Sequence, residues 1–182
     1  MDAPMLSFRL TLVVCLGMLL LSACGGTKET VAPEEDPRTA MERQMDAQAR
    51  ELEQYLPDAV VERFAGGIRI TFYQAVLFAF DSADLSEASL QSLRFFAESM
   101  QKYTGTSVQV VGHTDAVGEE AYNQDLSLRR ADAVAAFIKQ QNVVAGRLEV
   151  IGKGESEPID TNDTEAGRQR NRRVELIIKA ST

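Results

Sequence analysis

Four short segments of the chain carry residue types suited to recognising charged ligands. Gly112-His113-Thr114-Asp115 is followed by Gly118, and Tyr122-Asn123 by Leu126-Ser127 and Arg130-Ala131. Gly152-Lys153-Gly154 leads into Glu155 and Pro158, and Gly167-Arg168 into Asn171-Arg172-Arg173-Val174-Glu175. Asp115 falls just after an apolar strand pattern, and ligand groups in open α/β sheets collect where strands end. Its carboxylate could hold an ammonium group, or it could be a turn aspartate accepting backbone N–H bonds near Gly118. If Ser127 caps a helix, Arg129 and Arg130 lie in its first turn, where positive charge opposes the helix dipole by about 0.3–1 kcal/mol each. Such a local conflict marks a candidate functional position. Free N–H groups at a helix start attract anions, and an arginine fork there suits a carboxylate. The competing reading is a surface ion pair with Asp125 or Glu119. An aspartate and an arginine in one site would suit a ligand carrying both charges.

The same residues argue against other chemistries. His113 is the only histidine. No serine or cysteine motif accompanies it as a nucleophile, and one histidine does not make a zinc site. It reads as a structural or ligand-proximal hydrogen-bonding residue, and no catalytic residue, metal or cofactor is expected. Arg168, Arg170, Arg172 and Arg173 are densely basic. The whole chain, however, has 19 basic and 27 acidic side chains, for a net charge of −8. Nucleic-acid binding needs a broad basic surface with stacking aromatics, so no nucleic-acid partner is expected.

The elements that must position these segments are legible from periodicity. Residues 60–64 form a short strand and Gly66-Gly67 a tight turn. Ile68, Ile70 and Phe72 then alternate with Arg69, Thr71 and Tyr73, as in a half-buried strand. A short apolar stretch, 76–80, ends at Asp81. Ser86 is an N-cap for a helix reaching about Tyr103, with Leu90, Leu93, Ala97 and Met100 on its buried stripe. Residues 106–111 are a strand, 127–141 a helix with Ala131, Val134 and Ile138 inward, and 148–151 and 174–178 further strands. The pattern predicts an α/β (α+β) two-layer sandwich, a small mixed sheet with helices packed on it.

The N-terminal third reads differently. Residues 10–21 are an apolar run preceded by Arg9, too short for a membrane span of about 20 residues and placed like a signal-peptide core. Leu21-Ser22-Ala23-Cys24 resembles a lipobox, which implies a signal peptide at 1–23 and a lipidated Cys24. Gly25 rather than aspartate after that cysteine favours the outer membrane, with the domain facing the periplasm. Residues 24–37, rich in glycine, proline and acidic residues, are expected to be a flexible tether. Residues 38–57 are expected to form a helical spacer. Met41, Met45, Leu52 and Tyr55 give it a weak stripe broken by Gln48, so a solvated helix is preferred over a coiled coil or a docked one. The folded domain is expected over 58–182.

Taken together, "GHTDAVG", "YNQDLSLRRADAV" and "GRQRNRRVEL" closely resemble the OmpA-like peptidoglycan-binding domain family, over about 78–178. The lipidated N-terminus in place of a barrel gives the layout of the peptidoglycan-associated lipoprotein (Pal) type. The resemblance implies a compact βαβαβ sandwich that binds the peptide stem of peptidoglycan, chiefly at diaminopimelate. It implies that Asp115 and Arg130 grip the amine and carboxylate of that residue. Phe78-Ala79-Phe80-Asp81-Ser82 matches a family segment that places Asp81 and Ser82 at the site. Asn123 and Leu126 match positions lining the cleft, and Arg173 a late supporting arginine. Arg129 departs from the small or variable residue usual there. The expected function is a non-enzymatic outer-membrane lipoprotein tethering that membrane to the cell wall, with envelope proteins as further partners. One rival is a cell-wall hydrolase using Asp115, His113 and Asp81. The other is a protein-interaction module acting through 38–56.

Overall fold

The computed structural model describes residues 39–78 and 82–181. They form, in order, helix α1 (Ala40–Tyr55), strands β1 (Val60–Phe64) and β2 (Gly67–Tyr73), the short helix α2 (Gln74–Leu77) and helix α3 (Glu87–Lys102). Strand β3 (Thr106–Gly112), helix α4 (Glu120–Gln140), a 3-10 turn (Ala145–Arg147), strand β4 (Leu148–Gly152), helix α5 (Glu165–Asn171) and strand β5 (Arg173–Ala180) follow. The sheet order is β1-β2-β5-β3-β4. Only β3 and β4 pair in parallel; the other neighbours are antiparallel. This is the expected α/β sandwich with a mixed sheet.

Alternation decides which sheet face is covered. Ile68, Ile70, Phe72, Val108, Val110, Val174, Leu176 and Ile178 join one core with Leu93, Phe96, Met100, Ala131, Val134 and Ile138 of the helices. Arg69, Gln109, Glu149 and Lys179 alternate onto the opposite face, where Gln109 accepts from Lys179 and donates to Glu149. Ser86 caps α3, its hydroxyl accepting from the Ser89 N–H at 3.2 Å. The C-terminal end of α3 is closed by Arg147, whose guanidinium donates to the carbonyls of Met100, Tyr103 and Thr106.

Two expectations are corrected. Helix α1 is not a solvated spacer. Met45, Gln48, Ala49 and Leu52 are buried, and the apolar ones belong to the same core as the sheet. Gln48 lies buried within the stripe, its amide nitrogen donating to Ser99 Oγ at 3.3 Å while its oxygen has no hydrogen-bond partner among the described residues. A capping box between Thr39 and Glu42 starts this helix. The apolar stretch at 76–80 begins as the end of α2, and Phe78 makes an isolated bridge to Leu85.

The second correction bears on the site. Helix α4 starts at Glu120, not near Ser127, with Gly118 at φ +104° turning the chain just before it. Ser127 looks like a cap but lies inside the helix, fully buried. Its hydroxyl donates to the Gln124 carbonyl and accepts from the Gly154 N–H. It thereby joins α4 to the loop after β4. The close fit continues at Gly112, where an added Cβ would lie 2.1 Å from the Ser127 carbonyl oxygen, so only glycine lets β3 approach the helix here.

Candidate functional site

The four sequence segments converge at one end of the sheet. Beyond β3, the His113 N–H donates to the Arg173 carbonyl at 2.9 Å and the Thr114 N–H to the Gly154 carbonyl at 2.8 Å. The Lys153 N–H returns a bond to the Gly112 carbonyl at 3.0 Å. The Asp115 turn is thus held by the glycine-rich loop after β4 on one side and by the start of β5 on the other. Asn123, on the first turn of α4, donates to the carbonyls of Asp115 and Val117 and to Glu155 Oε2. Asn171 closes the remaining side. Its side chain bonds Ile159, Asp160 and Asn162, and the Asn162 side-chain oxygen accepts from the Ala116 N–H.

These elements enclose a cleft of about 460 Å³. Asp115, Asn123, Leu126 and Arg130, all expected at the site, line it. Asn123, Leu126 and Arg130 recur at helical spacing along α4, so one face of a rigid helix presents all three. The helix-terminus argument for Arg130 therefore fails, because it lies well inside α4. What holds it is side-chain packing. It is 5% exposed, its Nη1 donates to Gln74 Oε1 at 2.9 Å, and its guanidinium lies 5.5 Å from the centre of the Phe78 ring. Arg129 points elsewhere and pairs with Asp125 on the exposed face.

Asp115 takes the turn role that its spacing allowed, and an ion pair besides. One oxygen accepts the Val117 N–H at 3.1 Å, as a turn aspartate does. The other pairs with Arg172. Arg172, absent from the site expected on sequence, lines the cleft together with Gln74, Thr114, Val117, Tyr122, Glu165 and Arg168. The guanidinium groups of Arg172 and then Arg168 hold the Glu165 carboxyl below its usual range. The hydroxyl of Thr114, 4% exposed, has no hydrogen-bond partner among the described residues.

Two expected residues are placed elsewhere, and two lie outside the described residues. Arg173 is corrected: it does not line the cleft. It is 3% exposed, bonds Glu175 through Nε at 2.7 Å and donates to the Glu157 carbonyl. Neighbouring positions at a strand start point to opposite sides, and Arg172 takes the cleft side. Ser82 bonds Asp84 in the turn before Leu85 and is not among the described cleft residues. Asp81 and Cys24 lie outside the described residues.

His113 is buried, 2% exposed, and is absent from the cleft lining. Burial, and next the positive charge of Arg173, push its pKa down to about 4, against a weaker upward pull from Glu175 and Glu157. The imidazole is therefore neutral near pH 7. Among the described residues no group of three or more His, Cys, Asp or Glu could hold a metal ion. No helix among them is long and apolar enough to cross a membrane.

Known proteins resemble the chain over this same region. Outer membrane porin F of Pseudomonas fluorescens is 44% identical over 105 residues, 58% of this chain and 32% of the porin. The outer-membrane lipoprotein YfiB of Pseudomonas aeruginosa is 41% identical over 105 residues, 58% of this chain and 62% of that one. The chain thus spans about a third of the porin's length and under two thirds of the lipoprotein's. Among solved structures, the cell wall anchor of the T6SS from Pseudomonas aeruginosa superposes with a TM-score of 0.66 at 32% identity, covering 74% of this chain and 97% of that one. The model of the OmpA family matches residues 77–172, more than half of the chain and most of the cleft, so the chain belongs to the OmpA family.

Proposed function

We propose that this protein binds peptidoglycan non-covalently through diaminopimelate of the peptide stem, and tethers the outer membrane to the cell wall through a lipid on Cys24. The observation that carries the reading is the cleft, where Asp115 and Arg130 line the same space. A stem diaminopimelate ends in an ammonium and a carboxylate on one carbon, which those two groups complement. Asp115 uses two acceptor directions on Val117 and Arg172, and a carboxylate has about four. A relative described as an outer-membrane lipoprotein and a structural neighbour described as a cell wall anchor support the envelope setting. Many such weak bonds along one wall act together through multivalency.

Purified sacculi test the reading. The wild-type chain should sediment with them, and Asp115→Ala with Arg130→Ala should stay in the supernatant while keeping native circular dichroism. Wild-type chain left in the supernatant would overturn it. The same incubation should release no muropeptides above a heat-killed control. Release that disappears in Asp115→Ala would favour a hydrolase instead.

The anchor is tested separately. Cys24→Ala is expected to leave the protein soluble in the periplasm or as an uncleaved precursor, and to abolish fatty-acid labelling. Labelling that survives the substitution, or a variant that still fractionates with the outer membrane, would reject lipidation at this position.

A further inference from the structure

Gln74 lies ahead of the residues matched to the family, which begin at 77, yet it forms one wall of the cleft. It opens α2 directly after β2, and its backbone N–H donates to the Arg172 carbonyl at 2.9 Å. That bond joins it to Arg172, one of the three arginines that line the cleft. Its side-chain oxygen accepts from Arg130 Nη1 at 2.9 Å. A guanidinium can only donate, so the oxygen of this amide, and not its nitrogen, must face Arg130. The orientation of the amide is thereby set. Its Nε2 is turned away from Arg130 and has no hydrogen-bond partner among the described residues.

We propose that Gln74 is a specificity residue: it positions Arg130 and adds a neutral N–H donor beside it, so that this corner of the cleft selects a ligand carboxylate over a carboxamide. The inference rests on the stem-binding reading and names what that site discriminates. Arg130 and the Gln74 nitrogen both present hydrogens. A carboxylate meets them with two acceptor oxygens. A carboxamide offers one oxygen, and its NH2 would meet a donor with nothing to accept it, the kind of mismatch that makes polar sites selective. Gln74→Glu reverses this logic. The new carboxylate would pair with Arg130, repel a ligand carboxylate and accept from a ligand amide. Gln74→Met keeps the bulk but removes both the acceptor for Arg130 and the donor for the ligand.

The test is calorimetry of the purified full chain with two stem peptides that differ only in the side-chain carboxyl of diaminopimelate, free in one and a carboxamide in the other. The wild type should prefer the free carboxylate by about 10-fold or more, the scale of a hydrogen bond to a charged group. Gln74→Glu should weaken that peptide by about 10-fold or more and change the amide peptide by less than about 3-fold, erasing the preference. Gln74→Met should narrow the preference without reversing it. A merely structural role would lower both peptides by one factor in both variants, and that result, or a wild type that binds the two peptides equally, would overturn the proposal. A wild type that binds neither peptide would reject the stem-binding reading itself, and the role of Gln74 with it.

Discussion

Replacing Arg130 by alanine is expected to weaken binding of a diaminopimelate stem by about 30-fold to several thousand-fold, and to leave binding of a lysine stem nearly unchanged. Lysine at that stem position has the ammonium but lacks the carboxylate, so it offers Arg130 nothing to hold. In the diaminopimelate complex, Arg130 is one partner of a charge pair made on a 5% exposed guanidinium. Truncating one partner of such a pair costs about 2–5 kcal/mol, which at about 1.4 kcal/mol per decade gives the range stated. Asp115→Ala should weaken both peptides, because both carry the ammonium. Arg130→Lys should rescue only in part, since a point charge replaces the planar fork that bonds Gln74 on one side. Calorimetry with both peptides checks these outcomes. Equal wild-type affinity for the two, with Arg130→Ala costing the same on each, would reject this division of labour.

The reason Arg130 can do this work is not the one its local sequence suggested. Ser127 looked like a helix cap, which would have put Arg130 at a helix start with free N–H groups. The hydroxyl is instead spent on Gln124 and Gly154. The cue that α4 begins earlier is Gly118 at φ +104°, but Glu119 makes no side-chain cap bond, so no capping pattern marks the start. The face containing Asn123, Leu126 and Arg130 survives the change, because helical spacing does not depend on where the helix begins.

The strands and the buried stripes of α3 and α4 were legible because each is a local periodicity. What pairs across the chain was not. Helix α1 carries a stripe weak enough to read as solvated, and the partner of the Gln48 amide nitrogen, Ser99, lies far away in sequence. Arg172 and Arg173 are adjacent and chemically identical. Which one enters the cleft depends on the strand phase at the junction of α5 and β5, and composition carries no trace of it. Gln74 had no local signal at all. It matters because α2, which follows β2 directly, brings the Gln74 amide to Arg130 of α4, a contact between residues far apart in sequence. The loop bonds made by Asn171 and by Lys153-Gly154 give these short polar segments a role: they hold the Asp115 turn and are not among the residues lining the cleft.

The second large effect concerns stability and pH, and it isolates His113. In the folded protein the imidazole is 2% exposed, and neither ring nitrogen has a hydrogen-bond partner among the described residues. Burial chiefly, helped by Arg173, lowers its pKa from 6.5 to about 4. Glu175, with Oε1 3.9 Å from Nε2, and Glu157 oppose this, while Lys153 adds to it. Because the folded value lies below the unfolded one, the unfolded chain binds a proton between pH 6.5 and about 4 that the native chain does not. Stability must therefore rise with pH across that window and fall as the solution is acidified through it. At about 1.36 kcal/mol per pH unit, the loss by the bottom of the window is about 3 kcal/mol, to order of magnitude. The carboxyls held low by partners, Glu42, Glu157, Asp160 and Glu165, have the same sign of effect but act below their ordinary values of 4.5 or 3.8. The upper part of the window thus belongs to the single histidine. Urea unfolding from about pH 7 to about pH 4.5 should show a steady loss of stability in the wild type. His113→Gln, which cannot titrate, should start less stable at pH 7 but show a nearly flat profile down to about pH 5. The slope, not the starting value, is the readout. Parallel profiles for the two proteins would mean that His113 takes up its proton equally in both states, and would reject the buried neutral imidazole.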